Sequence, residues 1–194
     1  MQQGSTREEI VAAADALFYR QGFDHTSFAD IAEVVRISRG NFYHHFKTKD
    51  EILAAVIARR LAQTAAMLEG WEAAGKTPVE RLRSFIRILI ANKADIKKYG
   101  CPVGTLTGEL AKLNHAAQGE ARALFSLFRS WLRRRFEELG RGKDADALAL
   151  HLLARSQGVA TLASAFRDEK FIRREVQEMC DWVDARAAEG VSEL

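Results

Sequence analysis

Thr26-Ser27-Phe28-Ala29-Asp30-Ile31-Ala32, followed closely by Ser38-Arg39-Gly40-Asn41-Phe42-Tyr43-His44-His45-Phe46-Lys47-Thr48-Lys49, decides how this chain folds. Thr26 or Ser27 can supply a capping oxygen, and Asp30 can close a capping box. Phe28, Ile31 and Ala32 share one face at helical spacing, so a short helix is expected over 27–34. The pattern breaks at Val35-Arg36-Ile37, and Ser38 then caps a second short helix through His44. Ile37, Phe42 and Phe46 are its apolar anchors. Two short helices with about three residues between them have the spacing of a helix-turn-helix, in which the first buttresses the second against the major groove.

The polar residues of the stretch fit that use. Arg39 can donate twice to guanine, and Asn41 can exchange hydrogen bonds with a base edge or a phosphate. Gly40 has no side chain to hold the backbone away from DNA. Tyr43 and His45 can reach phosphate oxygens, while Lys47 and Lys49 add charge. Thr48 opens the next helix, whose N-terminus is itself favourable to anions. Thr26 and Ser27 lie at the opposite flank and Arg36 in the turn, where it either reaches a phosphate or is solvated. Residues 34–49 carry Arg36, Arg39, Lys47 and Lys49 with no acid, whereas residues 1–33 lean acidic. That distribution is directional in a way the net charge of +3 is not. His44 and His45 are adjacent and point apart on a helix, which makes them a poor metal pair.

Working outward, a first helix is expected over Ser5–Gln21, capped by Ser5 or Thr6 and stopped by Gly22. After Thr48 a long helix runs to about Ala74. Further helices are expected over 78–99, 105–113, 116–139, 144–166 and 170–187, broken at Gly75-Lys76-Thr77-Pro78, at Gly100–Gly104 and at Gly140-Arg141-Gly142. The fold class is therefore all-α with about nine helices: an N-terminal three-helix helix-turn-helix domain, 1–49, and a C-terminal helical domain, 50–194.

Composition narrows the function. With 47% hydrophobic and 28% charged residues the chain is globular in character. No apolar run approaches the ~20 residues of a membrane span, and the polar N-terminus does not read as a signal peptide, so a cytoplasmic protein without membrane association is expected. Two separated cysteines, Cys101 and Cys180, suggest neither a disulfide scaffold nor a zinc site. A helical-bundle enzyme would need a ligand or acid–base constellation such as Glu-x-x-His, and no such pair or nucleophile motif is found. No cofactor, metal or catalytic residue is expected. A pure protein-interaction module would not need the Tyr43–Lys49 run.

Residues 6–55, through the two segments quoted above and on to Asp50-Glu51-Ile52-Leu53, resemble the N-terminal signature of the tetracycline-repressor (TetR) family. The resemblance implies a homodimeric repressor on a palindromic double-stranded operator, released by a small-molecule effector. It implies phosphate contacts from Tyr43, His45 and Lys49, and places Arg39, Gly40 and Asn41 on the reading helix. The family usually has glycine where this chain has Arg36. If that position is left-handed, the side chain costs roughly 1 kcal/mol. The family's ligand cavity lies in the C-terminal domain, where Phe85, Leu89, Cys101, Phe125, Phe128, Trp131 and Arg155 are candidate lining residues. Cys101, before Pro102, is either a small packed residue or a thiol responsive to electrophiles. Its last two helices imply a dimer interface, with Leu152, Ser156, Val159, Ala163, Phe166, Ile172, Val176, Met179 and Val183 as candidates; the alternative is an intramolecular core.

Overall fold

The computed structural model describes the backbone of residues 3–191 and the side chains of residues 6–189. Among the described residues the secondary structure is helical, in the order α1 Gln3–Gln21, α2 Phe28–Val35, α3 Arg39–His45, α4 Lys49–Ala74, α5 Pro78–Ala91, α6 Lys93–Tyr99, α7 Pro102–Lys112, α8 Gln118–Glu138, α9 Ala145–Phe166 and α10 Glu169–Val191. The helix expected over 78–99 is thus two helices. They are divided at Asn92, a residue of low helix propensity whose backbone leaves the helix at φ −102° and ψ 13° without a side-chain cap. The next helix starts at Pro102, because a proline ring is tolerated in a first turn that needs no N–H. The first helix begins at Gln3, ahead of Ser5 and Thr6, so neither residue is its N-cap.

Packing divides the chain elsewhere than at residue 49. One compact unit holds the chain up to Gln63 together with Pro102–Leu124; the other holds Thr64–Cys101 and the chain from Phe125 onward. The first unit is built around an apolar cluster. Ile10, Ala14 and Phe18 of α1, Ile31 of α2, Phe42 and Phe46 of α3, and Ile52, Leu53 and Val56 of α4 pack with Leu106 and Leu110 of α7 and Ala121 of α8. Burial of a large apolar side chain is worth about 1.5–3 kcal/mol, so α7 contributes to this unit's stability as the three N-terminal helices do. Arg60, with only 8% of its surface exposed, ties three of these helices together. Its Nε donates to Asp15 Oδ1 of α1 at 2.6 Å, and a terminal nitrogen donates to the Pro102 carbonyl at 2.7 Å.

In the second unit α5 packs on α10, α6 on α9, and α9 on α10. Leu82, Phe85, Ile86 and Leu89 of α5 meet this core with Leu152, Val159 and Ala163 of α9 and Ile172, Met179 and Val183 of α10. Phe85 and Phe128 meet edge to face at 5.6 Å.

Candidate nucleic-acid interface

Local chemistry fixes the two short helices. Ser27 is the N-cap of α2: its hydroxyl accepts from Asp30 N, and the Asp30 carboxylate accepts from Ser27 N at 2.7 Å, a complete capping box. These hydrogen bonds to Ser27 hold the Asp30 carboxyl below its ordinary pKa. The far end of α2 closes in a Schellman motif: Ile37 N donates to Ala32 O and Arg36 N to Glu33 O, both at 3.2 Å. Its left-handed residue is Arg36, at φ 58° and ψ 42°. Ser38 then caps α3, accepting from Asn41 N at 3.3 Å.

Phe42 and Phe46, each 1% exposed, pin α3 to the core. The opposite side of the helix is open: Arg39, Gly40 and Asn41 are exposed, and Tyr43 keeps 47% of its surface in solvent with its ring edge on Phe28. A cavity of about 240 Å³ between α2 and α3 is lined in part by Phe28, Ala29, Arg39 and Tyr43. A second, of about 500 Å³, runs from Asp24, His25 and Thr26 across to Lys47, Thr48 and Lys49. Thr48 caps α4, accepting from Glu51 N at 3.1 Å. Arg36 and Lys47 are exposed, and His45 is half-buried.

Several expected site residues stand differently. Thr26 is 1% exposed, and its hydroxyl donates to Gly22 O at 2.7 Å, so it braces the turn and cannot face a phosphate. Ser27 is exposed, but both its N–H and its O–H are given to Asp30. Lys49 directs Nζ to the carbonyls of Phe23 at 3.0 Å and Asp24 at 3.2 Å, over the Phe23 ring. Lys47 Nζ bonds the Tyr43 carbonyl and so caps α3.

In the second unit, Leu152, Ser156, Val159, Ala163, Ile172, Val176, Met179 and Val183 are all buried within their own chain, which corrects their reading as dimer contacts. Phe166 differs: it is 72% exposed. The outward face of α9 is a second stripe that the sequence reading missed, formed by Ala147, Leu150, Ala154, Gly158, Leu162 and Ala165. Its residues recur at helical spacing, as the inner stripe's do, and only the fold tells the two apart.

Of the candidate pocket residues, Phe85, Leu89, Phe128 and Trp131 are buried, and Cys101 and Phe125 are half-buried. Arg155 is paired with Glu175 at 3.2 Å. The cavity described in this unit, about 510 Å³, has a different lining: Ala74, Gly75, Lys76, Glu80, Arg83, Ser84 and Arg87.

Comparison with known proteins gives a consistent result. Residues 10–56 match the sequence model described as bacterial regulatory proteins, tetR family. Residues 78–178 match that of the C-terminal domain of LmrA/YxaF-like transcriptional regulators. An uncharacterized HTH-type transcriptional regulator of the lacX 3' region in Lactococcus lactis is 32% identical over 124 residues, covering 63% of each chain. The HTH-type transcriptional repressor DhaR of a Mycobacterium species is 23% identical over 134 residues, covering 69% of this chain and 65% of its own. The matched stretches therefore span somewhat less than two thirds of these relatives. A solved TetR transcriptional regulator from Legionella pneumophila superposes with a TM-score of 0.81 at 24% identity, covering 95% of this chain and 98% of that one, a likeness of fold.

Proposed function

We propose, from the premise that this chain belongs to the TetR family of bacterial transcriptional regulators, that it is a homodimeric repressor released from a palindromic operator by a small molecule. The observation that carries the reading is the two-sided character of α3. Phe42 and Phe46 are sunk in the core, while Arg39, Asn41 and Tyr43 are turned to solvent beside the exposed Arg36 and Lys47. A helix held in that way can lie in the major groove with Arg39 and Asn41 at base edges, and Gly40 lets the backbone approach. Tyr43, His45 and Arg36 take flanking phosphates, and Lys47, held on the Tyr43 carbonyl, adds positive charge beside them. Lys49 acts on DNA through the loop it holds.

One reading head covers one half-site, so a palindrome requires two protomers. The exposed α9 stripe from Ala147 to Phe166 supports a partner copy there, because alanine and Gly158 allow close helix approach while Leu150, Leu162 and Phe166 offer apolar area. An effector taken up by the second unit would act through α4, changing the separation of the two heads. Linkage then requires DNA to weaken effector binding by the same factor. A salt series of fluorescence anisotropy with the chain's own promoter fragment tests the reading. Affinity should exceed that for random duplex and fall log-linearly with salt, by about 0.9 per phosphate contacted. Equal affinity for both duplexes would refute it.

A further inference from the structure

The loop between α1 and α2 is gripped on both faces of its backbone by opposite charges from two distant parts of the sequence. Glu109 of α7 accepts from Phe23 N through Oε2 and from Asp24 N through Oε1, each at 2.9 Å. Lys49 of α4 donates to the carbonyls of the same two residues, Phe23 and Asp24. Three consecutive peptide groups are therefore clamped between a carboxylate and an ammonium. The clamp is close-fitting: Gly22 sits at φ +94°, and a Cβ there would stand 2.9 Å from Glu109 Oε1. His115, just past α7, meets the Phe23 ring edge to face at 5.2 Å and reaches Asp50 at 3.4 Å. Asp24, His25 and Lys49 in turn are among the residues that line the 500 Å³ cavity beside the two short helices.

We infer that Glu109 is a positioning residue for DNA binding, although it lies far along the sequence from the helix-turn-helix and its carboxylate is engaged by the Phe23 and Asp24 amides. Its carboxylate holds the 22–25 backbone at the height where His25 and the start of α2 flank the reading helix. It also keeps Lys49 on the loop, as the countercharge across the same peptides. Charge-assisted hydrogen bonds to backbone amides are among the stronger and more directional ones, so a neutral amide is a poor substitute. In Glu109→Gln one of the two contacts becomes N–H against N–H. This inference rests on the DNA-binding reading above.

The test uses the full chain and a 30-base-pair random-sequence duplex at low salt, at a temperature where circular dichroism shows wild type and variants fully folded. Glu109→Gln should bind about tenfold more weakly (~1.4 kcal/mol), with faster amide exchange at Phe23 and Asp24. A merely structural role would lower the melting temperature and leave affinity unchanged under those conditions. Lys49→Met should weaken binding as well, and the double variant should lose less than the two losses combined, as for residues acting on one element. If Glu109→Gln does not fold, Glu109→Asp, which retains the charge but is one methylene shorter, should show a smaller loss in the same direction. Wild-type affinity in whichever of these variants folds overturns the inference while leaving the repressor reading intact. Failure of the wild type itself to bind duplex DNA overturns both.

Discussion

Arg36→Gly separates stability from DNA affinity at one residue. Arg36 is left-handed, at φ 58° and ψ 42°, in the Schellman turn between α2 and α3. A non-glycine residue there carries about 1–2 kcal/mol of local strain. Its backbone N–H bonds to Ala32 and Glu33 carbonyls survive the substitution, and its exposed side chain gives up no core contact. Against the relief stands the greater freedom of glycine in the unfolded chain, about 0.4–1 kcal/mol. The net expectation is a stabilisation of about 0.5–1 kcal/mol, or roughly 1–4 °C in Tm for a chain of this size. If the guanidinium sits on a phosphate, as proposed, the same variant binds DNA less well. The log–log salt slope should then fall by about 0.9 for each protomer engaged. Differential scanning calorimetry and a salt series of anisotropy read the two effects separately. A lower Tm would refute the strain argument, and an unchanged slope would refute the phosphate contact.

Three further outcomes follow from the geometry. Gly158→Arg, at an open position on the outward stripe of α9, should leave the fold intact and shift the protein to monomer in analytical ultracentrifugation; a persistent dimer would move the interface elsewhere. Arg60→Ala removes the nearer of the two arginines beside the part-buried Asp15, leaving Arg59 at 4.0 Å, and frees the Pro102 carbonyl; it should cost about 2 kcal/mol in urea unfolding, as for lost hydrogen bonds to a charged group, and a loss below about 1 kcal/mol would show the tie to be incidental. Because the folded-state pKa of Asp30 is depressed, its contribution is complete above the ordinary Asp range and is lost as pH falls through the lowered value. Asp30→Asn should therefore differ from wild type in thermal stability at pH 7 but converge with it in strong acid, and a constant difference across that range would contradict the capping account.

The two short helices and the turn between them were legible because their information is local. Ser27, Asp30 and Ser38 cap as their spacing indicates, Phe42 and Phe46 anchor as their periodicity indicates, and the left-handed turn falls on the residue that departs from the family's glycine. What the sequence hid is non-local. Nothing in the run from Pro102 to Leu113 signals that Glu109 reaches back 85 and 86 residues to the amides of Asp24 and Phe23. Nor do side-chain types alone distinguish the inner stripe of α9 from the outer one, since alanine and leucine occupy both. Thr26 was misread for a different, local reason: at the edge of a cap a hydroxyl can face either way, and here the carbonyl of Gly22, four residues back, takes it inward.

Hydroxyl-radical footprinting of the full chain on its own promoter fragment bears most directly on the central claim. Two copies of the exposed α3 face should protect two patches on one side of the duplex, about 10 base pairs or a multiple of that apart. In Arg39→Ala the patches should fade at the same protein concentration. A single patch, or protection that Arg39→Ala leaves untouched, would contradict a paired reading head built on this helix.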